Sequence, residues 1–321
     1  MRRFFPFFIL LTSVQACAND SPRSGFQALS PSLEQTQTCA DALAVFDYAA
    51  AQRRAQRQLA DAPGDAAARM CAARAAYETG HFTTALEQLR ILEQQHPQAE
   101  LRTYSYNWLT VSLRRLGRED EAMRYGQAAL AWARRESSRQ NLATALHNMA
   151  GLAWARGDAA SARAFYLESI PLNPDLSERS ASFNNLGLID QATGRLSEAE
   201  SWLKQAIALN REHNHFHHLG KHLMNLGNLY REQKRYTESG TLLGEGAALI
   251  DRAGDLYWQA VVARYRGWLA RDQRNWEQSE QWLKQAVRDY DVAGAGGDAE
   301  ATRQEIKAND DTRALPHAKP E

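Results

Sequence analysis

The stretch Asn185-Leu186-Gly187-Leu188-Ile189-Asp190-Gln191-Ala192-Thr193-Gly194-Arg195-Leu196-Ser197-Glu198-Ala199-Glu200-Ser201-Trp202-Leu203 contains every feature that decides the architecture. Gly194 can take the left-handed conformation that ends one helix and lets the next turn back. Gly187 lies seven residues before it and Ala199 five after. Both are small, so two antiparallel helices can approach closely at these points, and Leu203 can fill the remaining groove.

Outward from this stretch the pattern recurs. Gly80, Gly117 and Gly157 occupy the place of Gly194, and Lys234 and Arg274 stand there later. Five residues on come Ala85, Ala122, Ala162, Ala199, Ser239 and Ser279; seven residues back come Ala73, Thr110, Ala150, Gly187, Gly227 and Gly267. Larger apolar residues fall between, among them Leu89, Tyr166, Leu203, Leu243 and Leu283. The spacing from turn to turn is 37, 40, 37, 40 and 40 residues. A unit of this kind buries its apolar face only against its neighbours, so the units must stack.

These residues resemble the tetratricopeptide repeat family, whose core is about 34 residues. Asn185-Leu186-Gly187 with Ala199 and Leu203, and Asn225-Leu226-Gly227 with Tyr230 and Tyr236, are the closest matches, and Pro97 and Pro174 fall where the family places its helix-ending proline. The resemblance implies an all-α, right-handed superhelical solenoid of antiparallel helix pairs. It implies about six repeats, starting near 66, 103, 143, 180, 220 and 260 within residues 66–292. A degenerate helix over 39–65 precedes them; a capping helix, N-capped by Asp298 and running from about Ala299 to Lys307, and a disordered tail make up 293–321. Three local departures carry expectations. Pro171 should end its helix early or kink it there. Tyr125 should fill the space left by Gly126, and Glu119 stands where a hydrophobe is usual.

The N-terminus reads as an address. Arg2 and Arg3 precede an apolar run from Phe4 to Leu11 that is too short to span a bilayer. Val14-Gln15-Ala16-Cys17 resembles a bacterial lipobox, which would make residues 1–16 a signal peptide and Cys17 the lipidated residue. Cleavage after Ala16-Cys17-Ala18 is the alternative. Ala18, rather than Asp, after the cysteine implies the outer membrane by resemblance to Gram-negative lipoproteins. Residues 17–38, rich in Ser, Gln, Thr and Pro, read as a flexible tether. Cys39 and Cys71 are the other cysteines. A single helix from Cys39 that turns back at Asp61-Ala62-Pro63-Gly64 would set Cys71 opposite Arg54, so the two thiols are expected to stay apart.

The 38 basic and 38 acidic residues cancel. Loss of Arg2 and Arg3 with the signal segment leaves 36 against 38, a net of −2. No global field therefore attracts nucleic acid or an anionic bilayer, and the membrane contact expected is the lipid anchor alone. The sequence contains no His-Glu metalloprotease pair, nucleophile elbow, phosphate loop or Cys-x-x-Cys, so no enzyme and no cofactor is expected. His213, His215, His217, His218 and His222 cluster between two repeats. His215, His218 and His222 are weak metal candidates, with His218 and His222 one helical turn apart.

The resemblance also implies which residues of each first helix face the concave groove: Tyr77, Asn107, Arg114, His147, Trp154, Asn184, Gln191, Asn228, Arg231, Arg264, Trp268 and Arg271. Asparagine can bond an extended peptide backbone, and arginine can hold a carboxylate with two hydrogen bonds. The reading is a non-enzymatic adaptor, exported to the cell envelope and facing the periplasm, with a protein or peptide partner in the groove. A periplasmic sensor of a peptide or small ligand is the alternative, and a metal-binding protein built on the histidines a third.

Overall fold

The computed structural model describes residues 38–44, 47–95, 98–136 and 138–314. The signal segment, Cys17, the tether up to residue 37, Pro97 and residues 315–321 lie outside the described residues. Fifteen α-helices and no strand occur among the described residues: α1 (Cys39–Ala44), α2 (Tyr48–Asp61), α3 (Ala66–Glu78), α4 (Phe82–Gln94), α5 (Ala99–Arg115), α6 (Glu119–Ala133), α7 (Arg139–Ala155), α8 (Ala159–Ser169), α9 (Leu176–Ala192), α10 (Leu196–Glu212), α11 (Phe216–Glu232), α12 (Tyr236–Ala253), α13 (Leu256–Asp272), α14 (Trp276–Val292) and α15 (Gly296–Ala314). None is long and apolar enough to cross a membrane. Residues up to Asn185 form one compact unit and residues from Leu186 a second, the division falling within α9.

Each pair turns at a residue of positive φ: Gly80, Gly117, Gly157 and Gly194, then Lys234 and Arg274 at 62°. The following N–H reaches back five residues. Arg195 donates to the Asp190 carbonyl, Arg235 to Tyr230 and Asn275 to Ala270, each at 2.8 Å. This bond satisfies a carbonyl that the helix end leaves free, and it holds Lys234 and Arg274 in a conformation that glycine adopts without strain.

The small positions are the buried ones. Ala85, Ala122, Ala162, Ala199, Ser239 and Ser279 are all at most 1% exposed. A Cβ on Gly187, Gly227 or Gly267 would lie 2.7–2.8 Å from a carbon of Leu203, Leu243 or Leu283 respectively. In the first unit the core runs through Leu86, Leu89, Leu109, Leu113, Leu146 and Leu152; in the second, Leu203, Leu219, Leu223, Leu226 and Leu229 form one cluster. Each such leucine contributes roughly 1.5–3 kcal/mol by leaving water.

The chain departs from the sequence expectations at four places. The space beside Gly126 is filled by Met149 and Leu152, not by Tyr125; the Tyr125 hydroxyl donates instead to Glu93 at 2.7 Å. Pro171 lies in a 3-10 turn, Ile170–Leu172, that follows α8, so that helix does end early. The final helix is longer than expected, running from Gly296 to Ala314. Cys39 and Cys71 form a disulfide, with Cα atoms 6.3 Å apart, against the expectation that they stay separate. The expected single N-terminal helix is two. Asp47 caps α2 by accepting from Ala50, and its own N–H donates to Ala42, so the chain bends after α1. Arg54 donates to the Thr38 carbonyl, which brings Cys39 back to the level where Arg54 was to face Cys71.

Two measurements probe this packing. Gly227→Ala should cost roughly 1–3 kcal/mol in urea unfolding, because the added methyl meets Leu243, and Leu243→Ala should cost less in that background than in the parent, since it also removes the clash. Cys39→Ser/Cys71→Ser releases a 32-residue sequence separation and should destabilise α1 to α3 by about 3 kcal/mol. Hydrogen exchange should quicken over residues 48–76 and stay unchanged over 256–292; uniform quickening along the chain would contradict this placement of the disulfide.

Candidate functional site

First-helix residues of the N-terminal unit line a groove of about 1020 Å³. Its side chains come from α3, α5, α7 and the first turn of α9, with the helix-capping residues Asp65, Ser138 and Asp175 at one end. A helix pair packs through its small residues, so the polar residues of each first helix are left to the opposite face, and there they meet the next first helix. Asn148 Nδ2 reaches Asn107 Oδ1 at 3.4 Å, and Asn107 Nδ2 reaches the Asn141 carbonyl at 3.5 Å. Both are long for hydrogen bonds. Thr144 and Asn173 donate to Glu178 at 3.2 and 2.9 Å, and burial pushes that carboxyl above its ordinary range. Trp108 packs edge-on against Tyr77 and Tyr104, with ring centroids 5.2 and 6.3 Å away, and the Arg74 guanidinium lies 5.8 Å from its ring.

His147, another lining residue, is 4% exposed, and its Nδ1 lies 2.8 Å from Ser182 Oγ. Burial, and then the Arg114 charge, lower it to about 4, so the ring is neutral at pH 7. This pair does not make a nucleophile: Ser182 is fully buried and its hydroxyl donates to the Glu178 carbonyl at 3.0 Å.

In the C-terminal unit the expected groove residues Asn228, Arg231, Arg264, Trp268 and Arg271 are brought together, bonded to one another and to acids. Arg231 donates to Asn228 at 3.0 Å and pairs with Asp272. Arg264 makes a two-pronged bond to Glu305, at 2.6 and 3.3 Å, and the Trp268 indole donates to the same carboxylate at 2.8 Å. Arg271 reaches Asp272 at 3.0 Å. The Arg231 and Arg264 guanidinia lie 5.3 and 5.0 Å from the Trp268 ring. Of the remaining expected residues, Asn184 is fully buried and bonds Asn185, and Gln191 is 4% exposed with neither amide atom bonded. Arg114, Trp154 and Arg271 are half-buried.

Sequence reasoning missed Arg74, Asn141, Asn148 and Glu178. Asn141 and Asn148 are two helical turns apart on one face of α7, a spacing visible in the sequence. Arg74 stands at the repeat position of Asn228 and Trp268, which were singled out.

The histidines form a chain of neighbours: the His215–His218 and His218–His222 ring centroids are each 6.4 Å apart. Among the described residues no three His, Cys, Asp or Glu side chains are grouped as a metal ion needs. Two members serve packing. His217 Nε2 lies 2.8 Å from Asp255 Oδ2, which Lys221 also approaches at 3.0 Å, and His222 Nδ1 is 2.8 Å from Asn210 Nδ2. Burial alone would raise the Asp255 carboxyl; the His217 bond and the Lys221 charge reverse this and hold it well below the usual range.

Burial, reinforced by Lys221, lowers His222 to about 3. Its unfolded value is about 6.5, so between these limits the unfolded chain takes up the proton first. The associated stability is present above about pH 6.5 and lost as pH falls; at pH 5 the loss is about 2 kcal/mol for this one group. Urea midpoints at pH 7.5 and 5.0 should therefore differ less in His222→Gln than in the parent, and an unchanged difference would count against the assignment.

Models of the tetratricopeptide repeat match residues 101–175 and 218–291, and another of the same description matches 179–218, together more than half the chain. No curated protein matches the sequence. Among solved structures, a Rap protein complexed with competence and sporulation factor is similar at a TM-score of 0.61 and 13% identity, over 87% of this chain and 89% of that one. A signal-transduction ATPase with numerous domains from Pyrococcus horikoshii, with a tetratricopeptide repeat sensor, is similar at 0.67 and 15%, over 86% of this chain and 43% of that one. PilF of Pseudomonas aeruginosa is similar at 0.52 and 19%, over 74% of this chain and 96% of that one. At such identities the likeness is of fold. The repeat period, the buried small positions and these matches agree: the chain is an all-helical, solenoid-forming member of the tetratricopeptide repeat family.

Proposed function

We propose that this protein is a non-enzymatic adaptor of the bacterial cell envelope that holds a peptide or protein segment in the groove of its N-terminal unit. The groove itself carries the reading. Its floor is aromatic, at Tyr104 and Trp108, and its wall presents the side-chain amides of Asn107, Asn141 and Asn148, which can donate to and accept from an extended backbone. His147 and Glu178 are each held in that wall by hydrogen bonds, to Ser182 and to Thr144 and Asn173. The similar Rap structure, solved in complex with competence and sporulation factor, supports a ligand in this kind of fold.

The address comes from the sequence: a short apolar segment that ends at Cys17, with lipidation there and an outer-membrane, periplasm-facing position. The Cys39–Cys71 disulfide fits an oxidising compartment. A sensor that reports ligand binding to a partner is the second reading, favoured by the similarity to a structure with a tetratricopeptide repeat sensor.

A photo-activated cross-linker at Asn107 should capture a discrete partner in cells, whereas the same group at exposed Arg124 on α6 should not. Asn148→Arg, which fills the groove, should reduce capture at least several-fold. Equal capture from both positions, or capture indifferent to Asn148→Arg, would sink the groove as the binding surface. Labelling with a palmitate analogue, lost in Cys17→Ala, tests the anchor separately.

A further inference from the structure

A guanidinium stays charged at any physiological pH, so a half-buried arginine needs a counter-charge or loses hydration without return. The C-terminal unit shows what its first-helix arginines take. Arg231 pairs with Asp272 and Arg264 with Glu305, each acid lying 41 residues ahead on the next first helix.

Arg114 occupies the repeat position of Arg231, three residues before the positive-φ turn residue, Gly117 in one case and Lys234 in the other. The turn-to-turn spacing is 40 residues in both places, so the register is the same. Yet the residue 41 places after Arg114 is Ala155, which is exposed. No hydrogen bond or ion pair joins the Arg114 guanidinium to another described residue. The titratable groups that act on it are Tyr77, Arg115 and Tyr166, none of them a carboxylate. Burial and Arg115 both disfavour its charge, and only the two phenols favour it. Arg114 also continues the stripe of α5 that lines the groove through Tyr104, Asn107 and Val111. It lies two turns beyond Asn107, about 10 Å along the axis, or about three residues of extended peptide.

We propose that Arg114 receives a carboxylate of an acidic peptide bound in the groove, the ligand supplying from outside what Asp272 supplies to Arg231 from within. This rests on the groove reading and adds the ligand's charge and where it sits. The Arg74 guanidinium, above Trp108 and with a buried Nε that no group bonds, is a second positive charge on the groove wall, shared with the carboxyls of Glu78 and Glu178. The peptide's backbone lies against the asparagine amides, and its acidic side chain or terminus reaches the far end of α5.

The test uses the chain from residue 18 onward and two fluorescein-labelled hexapeptides, one alternating Ala and Asp, the other Ala and Asn, read by anisotropy. The parent should bind the Asp peptide about tenfold more tightly than the Asn peptide. Arg114→Met should bring the Asp peptide to the level of the Asn peptide. Ala155→Asp, which keeps Arg114 and supplies an internal acid at the register of Asp272, should do the same and raise the melting temperature of the free protein. Arg124→Met, on the exposed face of α6, should change neither affinity. Equal affinity of the two peptides for the parent, no binding of the Asp peptide, or an Asp preference that survives both Arg114→Met and Ala155→Asp would overturn the proposal. Capture from Asn107 would then decide whether the groove reading survives without it.

Discussion

A leucine side chain resting on a bare glycine backbone is the contact on which the helix pairs of the C-terminal unit depend. Leu203 on Gly187, Leu243 on Gly227 and Leu283 on Gly267 leave no room for even a methyl group. So close an approach commits each first helix to one orientation: its small residues must face its partner, and its polar residues must face away. In the N-terminal unit a bare glycine serves a contact between pairs instead, since Gly126 on α6 makes way for Met149 and Leu152 of α7, the first helix of the next pair. A core built this way tolerates little extra volume, because the tight contact is with a branched side chain that is itself fully buried.

Once the polar residues are turned away from the pair, their partners are set by the repeat length. With repeats 40 residues apart, a side chain on one first helix meets one about 41 residues on: Asn107 with Asn148, Arg231 with Asp272, Arg264 with Glu305 and Tyr257 with Asp298. The face turned away from the pair contact is therefore a ladder of bonds between successive first helices. The last rung depends on α15, since Glu305 and Asp298 both belong to it. A terminal helix that looks like a simple cap thus also neutralises Arg264, which is 7% exposed.

Much of this was legible in the sequence because it depends on size and period. The small positions, the turn residues, including the non-glycine ones, and the early helix end at Pro171 follow from local chemistry. What stayed hidden depends on geometry that no period encodes. The Cys39–Cys71 disulfide requires a bend between α1 and α2 that the alanine-rich run from Cys39 does not announce. The mutual bonding of Arg264, Trp268 and Glu305 was missed for another reason: their partnership appears only when the offset between first helices, rather than within a helix, is searched. Asn184 faces the right way by alignment and is nonetheless fully buried, bonded beside Asn185, which in turn donates to the Tyr166 hydroxyl at 2.9 Å.

The two units differ in how tightly that ladder is closed, and the difference has an energetic meaning. In the C-terminal unit the rungs are short and charged; a ligand would have to break bonds such as the 2.6 Å Arg264–Glu305 pair and leave a buried charge alone, which costs several kcal/mol. In the N-terminal unit the rungs at Asn107 are neutral amide contacts of 3.4 and 3.5 Å, weak enough that a peptide backbone could replace them at little net cost. There the guanidinium of Arg114 has no internal rung to break. An incoming carboxylate would meet a cation already stripped of much of its water and already positioned, so little further desolvation or ordering would offset the attraction. On this argument one repeat pattern yields a self-satisfied face in one unit and a receptive one in the other, and the distinction comes down to whether the residue 41 places ahead carries an acid.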